Sequence, residues 1–123
     1  MNRQLLFLFF VFTCNCVILA DYSPIVIQNS GGNQHNHNEY YPPADMPEVY
    51  FESDDQEIIL VADGFADYYD VDIISLSTMT AVISTQINGY GDSIDVSLLP
   101  DDNYMIVITS SFNNVYEGEF TNY

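Results

Sequence analysis

The sequence predicts an all-β fold, an immunoglobulin-like antiparallel β-sandwich of about seven strands. Three observations predict it. Short segments rich in Ile, Val, Tyr and Thr follow one another from residue 48, with turn-forming residues between them about every 8–12 positions. No stretch has the apolar spacing of a long helix. Leu98-Leu99-Pro100, then Tyr104 at the head of an alternating run, has the layout of a tyrosine corner, whose hydroxyl bonds back to the chain just upstream.

The chain of 123 residues is long enough for one ordinary domain. Residues 1–20 read as a secretory signal peptide. Arg3 gives a positive start, residues 5–12 are an unbroken apolar run, and Ala20 offers a small residue at the cut before Asp21. Thr13, Cys14, Asn15 and Cys16 interrupt the apolar stretch, which falls short of the roughly 20 residues of a membrane span. Lipidation at Cys14 or Cys16 is the alternative. However, Val11-Phe12-Thr13 and Thr13-Cys14-Asn15 do not supply the Leu and small residues that a lipidation box needs. After cleavage at Ala20 the chain has no cysteine and no disulfide.

Residues 21–47 read as an extended, flexible leader. Pro24-Ile25-Val26-Ile27 can make a short strand, residues 29–38 are rich in Asn, Gly and His, and Pro42, Pro43 and Pro47 disfavour helix. Residues 48–123 form the predicted sandwich. Its strands are expected at 49–51, 56–61, 69–73, 81–87, 94–98, 104–109 and 115–120, with a turn at 88–92. Tyr69, Val71 and Ile73 share one face, with Asp70 and Asp72 on the other. Lys normally guards exposed strand edges. Here Asp70, Asp72, Glu117 and Glu119 are expected in that role.

Residues 94–98, then Asn103-Tyr104-Met105-Ile106-Val107-Ile108, then Val115-Tyr116-Glu117-Gly118-Glu119-Phe120 carry a resemblance. This closing pattern resembles small secreted β-sandwich domains of unknown function from Bacteroidetes-type bacteria. That family is similar to the carboxy-terminal sorting domains of the phylum. The resemblance covers roughly residues 48–120 and departs from the family pattern at Asn103, where Gly is usual. It implies the fold and an exported location, and it supplies no catalytic residue.

Charge narrows the partners. Eighteen Asp and Glu face one basic residue, Arg3, for a formal charge of −17. Without Arg3, those 18 acids have no Lys or Arg to face, and the charge becomes −18. Nucleic acid requires cations to displace phosphate counterions, and an anionic membrane surface would repel this chain. Protein or glycan partners at the cell envelope remain, and ten tyrosines suit such contacts. A hydrophobic content of 48% argues against disorder despite the charge.

Asp63, Asp67, Asp70 and Asp72 are close in sequence and are calcium candidates, since calcium takes oxygen ligands and sandwich loops often hold it. Their spacing is not that of an EF-hand, and a solvated acidic face is the plainer reading. No other cofactor is expected. His35, His37 and Glu39 could share a transition metal in an extended chain, but a polar linker explains them as well. Both histidines lie in that linker, so no Ser/His/Asp arrangement forms, and no pair of carboxylates stands out. The expected function is therefore an exported, non-catalytic binding or adhesion module. The alternative is a structural or assembly module that associates through edge strands, with calcium as a stabiliser.

Overall fold

A computed structural model of the chain describes residues 22–29 and 43–122. The signal segment with Cys14 and Cys16, and the cluster of His35, His37 and Glu39, lie outside the described residues. Among the described residues there are nine strands: β1 (Tyr22–Ile25), β2 (Gln28–Asn29), β3 (Glu48–Glu52), β4 (Glu57–Val61), β5 (Tyr68–Ser75), β6 (Thr80–Asn88), β7 (Gly91–Asp95), β8 (Asp102–Ser110) and β9 (Val115–Asn122). They form two antiparallel sheets, ordered β1-β3-β4-β7 and β2-β9-β8-β5-β6. No helix among the described residues is long and apolar enough to cross a membrane.

Strand alternation sets the core. Tyr69, Val71 and Ile73 of β5, Tyr104, Ile106 and Ile108 of β8, and Tyr116 and Phe120 of β9 all point inward and are buried. Ile58, Leu60 and Ile94 meet them from the other sheet. Each such buried aliphatic side chain stabilises the fold by about 1.5–3 kcal/mol. The tyrosine corner is present, with the Tyr104 hydroxyl donating to the Pro100 carbonyl at 2.5 Å. Its ring stacks with Phe120, which in turn stacks with Phe51 of the opposite sheet, at centroid spacings of 5.6 and 5.7 Å. These rings therefore join the two layers at the corner end.

Three expectations are revised. Residues 22–29, assigned to the leader, belong to the sandwich. β1 pairs with β3 and β2 pairs with β9, so this arm bridges the open side between the two sheets. The reason is burial: Ile25 and Ile27 enter the core, and the arm crosses β9 at Gly118. A Cβ there would stand 2.8 Å from Ile27 Cγ2 and from the Val26 carbonyl oxygen, so only glycine leaves room. Second, β7 begins at Gly91, three residues earlier than expected, and ends at Asp95. Leu98 is consequently 93% exposed, while Leu99 packs against the core. Third, Asp70 and Asp72 do not guard an edge. Their strand, β5, is central, because the β5–β6 hairpin lays β6 outside it.

Candidate binding surface

One end of the sandwich gathers three loops: 62–67 between β4 and β5, 89–90 between β6 and β7, and 111–114 between β8 and β9. Hydrogen bonds tie them together. The Ala62 and Gly64 amides donate to the Tyr90 and Gly89 carbonyls, the Ser111 amide donates to the Tyr68 carbonyl, and the Asp67 amide donates to Ser111 Oγ at 2.9 Å. Asp63 Oδ1 accepts the Phe65 amide at 3.0 Å, and Asn88 Oδ1 accepts the Tyr90 amide at 2.7 Å.

Aromatic rings stand on this platform. Phe65 is 53% exposed and Phe112 54%, and they meet at a centroid distance of 5.2 Å with a 36° tilt. Tyr90 is 73% exposed and lies over Gly64. Gly64 has φ +87, and a Cβ there would come within 2.6 Å of the Tyr90 ring, so this position requires glycine on two counts. Tyr68 is also exposed at the start of β5. Loop aromatics without a strand face to bury them are suited to contact with another molecule.

Asp45 supports the platform from below. It is buried in the turn that leads into β3, where the Met46 amide donates to the Pro43 carbonyl. Ser110 Oγ donates to Asp45 Oδ2 at 2.5 Å, Asn114 Nδ2 donates to the same oxygen at 2.8 Å, and the Tyr116 hydroxyl donates to Oδ1. The Tyr69 hydroxyl donates to the Asp45 backbone carbonyl at 3.0 Å. Ser110 Oγ also accepts from the Phe112 and Asn114 amides, so the carboxylate and this one hydroxyl together fix the loop that carries Phe112. Burial pushes the Asp45 carboxyl up, but the donations from Ser110, Tyr116 and Asn114 outweigh it and leave its pKa lowered. Burial first, and then the bond to Asp45, raise the Tyr116 phenol. Neutral donors thus hold an ionised carboxylate in a segment of chain without Lys or Arg.

The four calcium candidates are spread over two places. Asp63 and Asp67 lie in the 62–67 loop. Asp70 and Asp72 face outward on β5, where Asp70 accepts from Gln86 Nε2 at 2.9 Å and Asp72 from Ser84 Oγ at 2.6 Å. Among the described residues, the carboxylates brought within 4.8 Å of one another are those of Glu52, Asp55 and Glu57, at the opposite end. Glu52 already accepts the Asp54 and Asp55 amides, so it serves the β3–β4 turn.

Sequence reasoning did not single out Asp45, because nothing in Ala44-Asp45-Met46 distinguishes a buried carboxylate from a solvated one. A usable signal did exist for Phe65 and Phe112: each sits among turn residues, Asp63-Gly64 and Asn113-Asn114.

The architecture and this loop end define an immunoglobulin-like β-sandwich. Among solved structures, the chain is similar to a DUF3244 family protein from Bacteroides vulgatus with an immunoglobulin-like β-sandwich fold. The TM-score is 0.62 at 16% identity, with 83% of this chain and 99% of that chain covered. No family model matches the sequence, and no curated protein matches it.

Proposed function

We propose that this protein is an exported, non-catalytic binding module that engages protein or glycan at the cell envelope through its aromatic loop end. The observation that carries this reading is the exposed group of Phe65, Tyr90 and Phe112 on three loops tied by hydrogen bonds, with the loop that carries Phe112 braced by Asp45. A rigid aromatic surface loses little conformational freedom on binding. The reading of export rests on the signal-like segment 1–20, and a mature amino terminus at Asp21, found by mass spectrometry, checks it.

Ring-proton NMR during titration tests the binding. The probes are envelope polysaccharides and, separately, cationic peptides. Shifts confined to Phe65, Tyr90 and Phe112, and lost in Phe65→Ala/Phe112→Ala, support the reading. Shifts elsewhere, or none with either class, overturn it. Calcium is proposed as an additional stabiliser, with the acidic groups as its ligands. A melting-temperature rise with calcium that magnesium does not reproduce supports this, and equal melts with calcium and with chelator remove it.

A further inference from the structure

Among the described residues the two sheets end in four edge strands: β1, β7, β2 and β6. Three of them are blunted by recognised means. β1 contains Pro24, β7 carries Asp92 and Asp95, and β2 is two residues long. β6 has no proline, no charge and no short span to protect it, and its one recognised device is a bulge near its start. It is nine residues long, contains no Pro, Gly or charged residue, and includes Thr80, Val82, Ile83, Thr85 and Ile87, all β-branched. In a chain with 18 acidic residues, none falls between Ile73 and Gly91.

One side of β6 pairs with β5 along its length. No strand among the described residues pairs with the other side. The register steps from Ile73↔Ile83 to Ile74↔Ala81, which leaves Val82 as an unopposed bulge residue, 40% exposed. Beyond the bulge, residues 83–88 are a regular run with backbone groups facing outward.

We propose that β6 is a self-association edge. Two copies would pair antiparallel through β6 about a two-fold axis, joining two five-stranded sheets into one of ten strands. This deepens the edge-association reading of the fold, by naming the edge and the partner, and does not depend on loop-end binding. Charge selects the partner. Two copies at −17 each repel wherever their acidic faces meet, and the β6 strip carries no carboxylate of its own, its nearest acids, Asp70 and Asp72, standing one strand back and bonded to Gln86 and Ser84. A cationic partner would gain more from the acidic faces than from a neutral edge. Two-fold antiparallel pairing is also self-complementary and closed, so it covers the unguarded edge of both copies and leaves no further β6 for growth.

Sedimentation velocity on the protein, purified as its cell processes it, tests the proposal over about 1–500 µM, a range suited to a small interface. The expected result is a monomer–dimer equilibrium whose affinity rises with salt, because screening reduces the repulsion between copies. Thr85→Glu and Val82→Glu each place a carboxylate at the edge and should weaken the dimer by about tenfold or more. Leu98→Glu, at an exposed position outside β6, should leave it unchanged. A dimer that survives both β6 variants overturns the assignment to β6 while leaving edge association standing. A monomer at every concentration and salt overturns both. Hydrogen exchange on the unaltered protein gives an independent reading: β6 amides facing away from β5 should gain protection as concentration rises. Constant exchange there overturns the proposal whether or not the variants fold.

Discussion

Asp45 at the loop end and Asn122 at the corner end are both buried polar side chains that tie turns to strands, and the two use different chemistry. At the loop end Asp45 is ionised and only accepts, with Ser110, Asn114 and Tyr116 all donating to it. At the corner end Asn122 is neutral and does both. Its Oδ1 accepts from Gln56 Nε2 at 3.1 Å, and its Nδ2 donates to the Leu99 and Val96 carbonyls at 3.3 and 3.4 Å. A neutral amide joins backbone carbonyls to a side-chain donor, so it suits the end where turns must be tied to the last strand. A carboxylate organises only donors, so it suits the end where hydroxyls and amides beneath the aromatic loop need a single acceptor. The charged closure is the stronger of the two and also the one that acid can open.

The largest effect is expected from Asp45→Ala, which strands the buried hydroxyls of Ser110 and Tyr116 and releases the exposed Asn114 amide. Denaturant unfolding should show a loss of about 3–4 kcal/mol, with the Phe65 and Phe112 rings losing their fixed NMR environment. Asp45→Asn should also destabilise, because one face of the amide would present N–H to a donor.

The same site sets a pH dependence. The folded pKa of Asp45 is lowered from 3.8, so its contribution is complete above that unfolded value and is lost as pH falls through the folded value. The stability difference between the unaltered protein and Asp45→Asn should therefore be flat near neutrality and shrink below about pH 4. Over the range from neutral to mildly acid pH, both proteins should gain stability as the self-repulsion of −17 is relieved.

Asn122→Ala should cost less, about 2 kcal/mol, since two of the partners it leaves are backbone carbonyls near the surface turns. Tyr104→Phe removes the corner hydrogen bond alone and keeps the ring stack, so about 1 kcal/mol is expected. The smallest change in stability, within about 0.5 kcal/mol, is expected for Phe112→Ala, whose ring is largely in solvent. If Phe112→Ala matched Tyr104→Phe in stability, the aromatic end would be a structural element and the contrast between the ends would weaken.

The seven strands from β3 to β9 were legible as short β-rich runs between turn residues, and in β5 the pleat's period of two shows without interruption at Tyr69, Val71 and Ile73. The corner was legible because Pro100 and Tyr104 are local to each other. Sheet order was not legible. Whether Asp70 and Asp72 lie on an edge depends on where the β5–β6 hairpin places β6, and alternation along one strand carries no information about its neighbours. The opposition of Glu52 and Glu57 depends on the register of the β3–β4 hairpin. The arm was partly legible as a short strand at Pro24-Ile25-Val26-Ile27. Its division between two sheets depends on a long-range contact with Gly118, and no window of adjacent residues contains both.

That arm also constrains the order in which the molecule can be made. The ribosome releases residues 22–29 early, yet β2 has its place only beside β9, which is released late. β1 can pair with β3 soon after both are made, but β2 must wait until almost the whole domain has been synthesised. Closure of the sandwich is therefore a late event with a large loop to close, and a slow-folding chain is the expected result. A chain stopped before β9 would lack the seat for β2.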